Sequence, residues 1–346
     1  MPKDTTPYGW TRLGAHWFAL FTALCTFVLI GSGGLVTSHG VGMAVPDWPT
    51  TYGYNMFLFP ISRWVGGIFY EHSHRLIASG VGLLTLILTT WIFFVEPRRW
   101  VKVLAVGALV AVVVQGLLGG FRVLLNMNSI GIFHGFLAQS FFISLGILAV
   151  ATSRGFVEGR FARAAWSGGL RRMALAITIL IFVQLALAAS MRHAHAGLSI
   201  PDFPLAYGRV LPDTSPAALE RINAGRIAEN EVPTTAGLIW LQMAHRFVAY
   251  AIFAGVLAFA ALARKQMADR FGRKLAWLWV AMITCQIGLG AWTIWSNKAA
   301  DVTTLHVALG ALSLFLGGLL TFRGFCAPRT NEPPDFHSVE LARNPA

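Results

Sequence analysis

Four histidines recur along this chain at places where an imidazole is unusual: His74, His134, His245 and His306. Each stands near the start of a long apolar run, and these runs are the second, fourth, sixth and eighth of eight. An imidazole inside a bilayer is costly unless it is paired or bound to a metal. Two neutral imidazoles facing each other from separate helices are the usual axial pair for a haem iron. Four residues after each histidine comes Ala78, Ala138, Ala249 or Gly310. That position lies on the same helix face one turn deeper, so small side chains there leave room for a flat macrocycle. Small residues are also common at plain helix contacts in membranes, and a lone intramembrane histidine is commonly a packing residue. The fourfold recurrence at one depth tips the reading toward iron ligation. Zinc would want clustered donors such as an i, i+4 pair, and this spacing does not supply them.

The histidines belong to an internal duplication. Val45-Pro46-Asp47-Trp48-Pro49 with Tyr52-Gly53 recurs 155 residues later as Ile200-Pro201-Asp202-Phe203-Pro204 with Tyr207-Gly208. His74-Arg75 recurs as His245-Arg246, and Gln115-Gly116-Leu117-Leu118-Gly119 as Gln286-Ile287-Gly288-Leu289-Gly290, both offset by 171. His134 recurs as His306, offset by 172. The polar stretch 213–235 accounts for the longer second loop. Pro and Gly around Asp47 and Asp202 predict tight folded loops, with each aspartate fixing its loop or binding an arginine.

One duplicated position changes its chemistry. Three residues before the histidine, on the same face, the first half has Glu71 and the second has Gln242. A carboxylate can exchange a proton or stabilise a developing positive charge, whereas an amide can only hydrogen-bond. Glu71 is therefore the candidate catalytic residue, in a reactive first half beside a fixed site in the second. The plainer reading has Glu71 capping its helix near water. Arg75, Arg246 and Arg192 are candidate partners for the anionic propionates of a haem, as is Arg122 at the end of its span, with interfacial snorkelling as the alternative reading, an equal one for Arg122.

These residues need a membrane scaffold to position them. The chain has 346 residues, 55% of them hydrophobic and only 12% charged, about half the charge of an ordinary soluble domain. Eight apolar stretches, approximately 15–36, 76–95, 103–121, 131–151, 173–191, 238–262, 275–295 and 304–322, are long enough to cross a bilayer. Their continuous apolarity speaks against a barrel. The formal net charge is nevertheless +12. Eighteen of the 27 Lys and Arg residues fall in one set of connections and nine in the other. Basic connections stay inside, which predicts an inner-membrane protein with both termini cytoplasmic. No contiguous basic face suits nucleic acid. Cys25, Cys285 and Cys326 avoid the outer loops, so no extracytoplasmic disulfide is available. The expected architecture is all-α: eight transmembrane helices as two parallel four-helix repeats, related by a pseudo-twofold axis along the membrane normal. The halves are expected at 1–170 and 171–326, followed by a polar, disordered tail at 327–346.

Taken together, these motifs resemble the haem A synthase family across most of residues 10–322. The resemblance rests on Gly33-Gly34-Leu35-Val36-Thr37, Glu71-His72-Ser73-His74-Arg75 and the His134 helix. In the second half it rests on Arg192-His193-Ala194-His195-Ala196-Gly197-Leu198-Ser199, Pro201-Asp202-Phe203-Pro204, His245-Arg246 and His306. It implies oxidation of the C8 methyl of haem O to a formyl group, giving haem A for cytochrome oxidase. It also implies a resident haem b between His245 and His306, the substrate haem O between His74 and His134, and assistance from Glu71. Implied partners are haem O, the prenyltransferase that makes it, membrane lipid, an electron carrier and a second copy in a homo-oligomer. The first outer loop (about 37–70) has no cysteine pair, so the chain resembles the cysteine-free branch. The competing readings are a dihaem b-type electron-transfer cytochrome and a non-catalytic haem-binding or transport protein.

Overall fold

Each of the eight apolar runs forms a helix long and apolar enough to cross a membrane. The computed structural model describes residues 9–127, 129–159, 166–267 and 269–326. The spanning helices are α1 (Trp10–Ser38), α2 (Gly66–Val95), α3 (Arg99–Leu124), α4 (Ile130–Thr152), α6 (Gly168–His193), α8 (Ala236–Gln266), α9 (Arg270–Trp295) and α10 (Ala300–Cys326). Two shorter helices, α5 (Arg154–Val157) and α7 (Pro216–Ala228), lie in connections. Among the described residues there is no strand, only the isolated bridges Thr51–Tyr54 and Ala206–Arg209. The chain is thus an integral membrane protein, and an even number of spans returns it to the side from which it started. The tail expected at 327–346 lies outside the described residues.

Side-chain caps start several helices where the sequence changes character. Ser167, Thr235 and Asp269 accept from the backbone N–H groups of Leu170, Leu238, and Phe271 with Gly272, satisfying donors the helix itself leaves open. Two elements differ from the sequence expectation. Helix α2 begins at Gly66, well before its apolar run, because the polar residues Glu71 and His72 are buried and bonded inside the protein. Hydropathy alone misses such a start. The polar stretch 213–235 contains α7, with Ser215 as N-cap and Pro216 in the first turn. Helix α6 starts at Gly168, so a division at 170/171 would fall within its first turn.

The helix packing repeats. α1 packs on α2 and α4, and α3 packs on α2 and α4. In the same way α6 packs on α8 and α10, and α9 packs on α8 and α10. Between the halves, α4 meets α10 and the α1·α10 contact is mirrored by α4·α6. The α4·α10 seam is itself two-fold. Gly146 lies against Phe315 and Leu319, while Gly318 lies against Ile143, and the two glycines occupy equivalent positions. Glycine at such a seam lets two helices approach closely.

Candidate functional site

The duplicated loops fold the same way. Asp47 accepts from the N–H groups of Tyr52 and Gly53 at 2.7 and 2.8 Å, and Asp202 from those of Tyr207 and Gly208 at 2.7 and 2.8 Å. Tyr52 and Tyr207 adopt positive φ (50° and 54°), as do Gly53 and Gly208, a conformation held here by the aspartate. Burial pushes the Asp47 carboxyl up, but donation from Gly53, Thr50 and Tyr52 outweighs it and holds the group below its ordinary value. Its stabilising contribution is therefore full above that ordinary value and fades only as pH falls through the lowered one.

Arg75 and Arg246 tie these loops to their helices. Arg75 donates to the carbonyls of Asp47 (2.6 Å), Thr50 (3.2 Å) and Val45 (3.0 Å) and to Glu71 (2.6 Å). Arg246 donates to the carbonyls of Leu205 (2.8 Å) and Asp202 (2.7 Å), with its guanidinium over the ring of Phe203. The terminal nitrogens expected to meet propionates are thus directed at loop carbonyls. A charged donor is strongest on an accepting oxygen, and the folded loop presents several. Gly120 lies flat against the indole of Trp48, which seats the first loop on α3.

Glu71 and Gln242 are buried equivalents. Glu71 accepts from the N–H of Val45 at 2.9 Å, and Gln242 from that of Ile200 at 2.7 Å. Gln242 also donates to the carbonyls of Gly197 and Ile200. Glu71 is therefore not an exposed helix cap: it is 4% exposed. The anchoring task needs only an acceptor, and the amide in the second half performs it. The negative charge at residue 71 is additional to that task.

Each half holds its two histidines across a diagonal. α2 and α4 make no extensive contact with each other, and neither do α8 and α10; the other two helices of each half stand between them. His74 and His134 are near enough to interact electrostatically, as are His245 and His306. The four histidines are partly exposed as residues, and so are Ala78, Ala138, Ala249 and Gly310. Glycines also border three of the rings. A Cβ at Gly33 would meet His74 at 3.0 Å, one at Gly290 would meet His306 at 3.2 Å, and one at Gly119 would meet His134 at 3.6 Å.

The ring nitrogens differ in their partners. Ser32 donates its hydroxyl hydrogen to the Leu29 carbonyl and lies 2.7 Å from His74 Nδ1. Where Ser32 keeps its proton on the Leu29 carbonyl it accepts from Nδ1–H, and Nε2 then carries the lone pair. In the second half, the Gln184 and Gln286 amides donate toward Nε2 of His245 and His306 and to the backbone carbonyls of the same residues. Gln115 donates to the His134 carbonyl at 2.8 Å. Nδ1 of His134, His245 and His306 is buried without a hydrogen-bond partner among the described residues. Each half thus brings together two imidazoles from diagonal helices, with small glycine neighbours beside three of the rings, the donor type that an iron macrocycle takes as axial ligands.

Residues 60–317 match the family model for COX15-CtaA, described as cytochrome oxidase assembly protein. The chain belongs to this family. It is also similar along most of its length to curated proteins named heme A synthase. One from Geobacillus kaustophilus is 29% identical, with 92% of this chain and 93% of the relative covered. One from Exiguobacterium sibiricum is 24% identical (91% and 96% covered), and one from Bacillus cereus 25% identical (84% and 86% covered). In this COX15-CtaA chain the structure also places residues that lie outside the duplicated motifs. Arg122, at the end of α3, lies against Gly42 and Gly131. It is within electrostatic reach of Glu71, His74, His134 and Arg192. Its duplicate is Thr293, so the comparison that isolated Glu71 could have isolated Arg122 as well. Ser32 and Gln184 had no such signal, because the duplicates of these two positions are Leu187 and Leu29 and neither belongs to a shared motif.

Proposed function

We propose that this chain is a haem A synthase that oxidises the C8 methyl of haem O to a formyl group in its first half. His74 and His134 would hold the iron of the substrate haem, and His245 and His306 that of a resident haem b. The observation that carries the reading is the duplicated histidine pair whose buried anchor changes from a carboxylate to an amide, Glu71 against Gln242. A bound haem b supplies one-electron chemistry; the other roles fall to the chain's own side chains. Converting methyl to formyl with water as the oxygen source replaces two C–H bonds by the C=O while the remaining C–H stays, releasing protons and electrons in equal number (–CH3 + H2O → –CHO + 4 H+ + 4 e−). Glu71, a buried carboxylate paired with Arg75 at 2.6 Å, is assigned to accept a proton. The electrons pass to a membrane electron carrier.

Propionate binding in the first cleft falls to Arg192 together with Arg122, whose charges converge at the boundary between halves. In the second half, Nε of Arg246 is buried without a hydrogen-bond partner among the described residues and is the donor left for a propionate. The surplus of basic residues in one set of connections supports cytoplasmic termini. All four histidines lie between four and nine residues from the same end of their helices, so both haems would sit at one level. A shuttle carrying electrons across the membrane would need them stacked through its thickness.

The test is conversion. Purified protein given haem O and an electron acceptor, followed by haem extraction, is expected to yield haem A and a hydroxylated form of haem O. Quantitative recovery of unchanged haem O in all conditions would contradict the proposal. A smaller prediction concerns Ser32. Ser32→Ala removes the hydroxyl that holds His74 through Nδ1, and it is expected to weaken first-site haem binding by about 10- to 100-fold. Spectral titration should show this with the second site unaffected; equal loss at both sites would count against the assignment.

A further inference from the structure

At the opposite end of the helices from the histidines, the corner between α8 and α9 gathers positive charge. Arg270, Arg273, Lys274 and Trp277 follow helical spacing along one face of α9, and Arg264 reaches in from the last turns of α8. These five residues line an open cavity of about 530 Å³. The nearby carboxylate is used elsewhere: Asp269 caps the N–H groups of Phe271 and Gly272 and pairs with Arg323. Among the described residues, Arg264, Arg270, Arg273 and Lys274 make no ion pair, and Arg273 donates only to the Met267 carbonyl.

The duplicated corner between α2 and α3 is built differently. There Glu96, 1% exposed, accepts from Arg98 at 2.7 Å through both Nε and Nη2, and Lys102 lies over the ring of Phe93. The residue equivalent to Glu96 in the second half is Met267. A topology signal requires basic residues in a connection. It does not require them to converge from two helices on one cavity with the counter-charge removed.

We propose that this cavity binds the phosphate of an anionic phospholipid from the adjoining leaflet. Clustered Lys and Arg beside spanning helices recognise such headgroups. A lipid suits the site better than a free anion because apolar surface borders it: Trp277 is 47% exposed, Leu278 49% and Phe271 58%. Tryptophan at that level is typical of the membrane interface, and acyl chains can run along α9 below a bound headgroup.

The test is native mass spectrometry of the full chain in an uncharged detergent, titrated with short-chain phosphatidylglycerol or phosphatidylcholine, with inorganic phosphate as competitor. Phosphatidylglycerol is expected to bind at least tenfold more tightly. The combined substitution Arg270→Gln, Arg273→Gln and Lys274→Gln should abolish the preference, while Arg99→Gln with Lys102→Gln at the first-half corner should retain it. If the triple variant fails to fold, Arg264→Gln alone, at an exposed side chain, should weaken phosphatidylglycerol binding by about threefold or more. Equal binding of the two lipids, a preference that survives these substitutions, or displacement of the lipid by equimolar inorganic phosphate would overturn the proposal.

Discussion

Replacing His245 or His306 by Ala is expected to empty the resident haem site, lowering the haem carried by the purified protein by at least tenfold. Each substitution removes one of two axial nitrogens in the second half. It also takes away the ring nitrogen toward which Gln184 or Gln286 donates, and the space freed at residue 306 borders Gly290. A bound group that contacts only the folded state stabilises it by mass action, so the variants should also melt earlier than the loaded protein. His74→Ala and His134→Ala are expected to leave the resident haem in place and to reduce binding of added haem O. Quantifying haem per chain, with and without haem O, separates the two sites. Identical haem content in all four variants would contradict the division of labour between halves.

The second large effect is expected from Glu71→Gln. The second half shows what an amide does at this position: Gln242 accepts from Ile200 N–H and donates to the Gly197 and Ile200 carbonyls. The equivalent carbonyls in the first half belong to Gly42 and Val45, so a glutamine at residue 71 has the same acceptors available. Arg75 would lose a buried carboxylate. It keeps its bonds to Asp47, Thr50 and Val45, and Arg246 already holds its loop through carbonyls alone. The substitution should therefore spare the fold and the haem content. A positioned acid or base contributes about 10²- to 10⁴-fold, so haem A formation should fall by roughly that factor.

Much of this organisation is legible in the chain itself. Hydropathy marks all eight spans, and the constant offsets between motifs reveal the duplication that the helix packing repeats. The four histidines, their small i+4 neighbours and the Glu71–Gln242 difference follow from the same alignment of halves. What escapes is set by contacts distant in sequence. Nothing near Arg75 or Arg246 tells that a folded loop will turn its carbonyls toward them, so a propionate role was the natural expectation. The start of α2 is hidden because Glu71 and His72 lower local hydropathy while being buried by a loop 20 to 30 residues away. α7 is masked by its polarity, since only Leu219 and Ile222 of it pack on the small apolar cluster of Ile200, Ala206, Ile239 and Met243. The seam of Gly146 and Gly318 becomes apparent only when α4 and α10 meet.

The most direct measurement is haem extraction from cells that supply haem O and express either the wild-type chain or Glu71→Gln. The account predicts that both proteins retain haem b, that the wild type yields haem A, and that the variant accumulates haem O with haem A reduced at least a hundredfold. Wild-type amounts of haem A from the variant would contradict the placement of the reaction at Glu71.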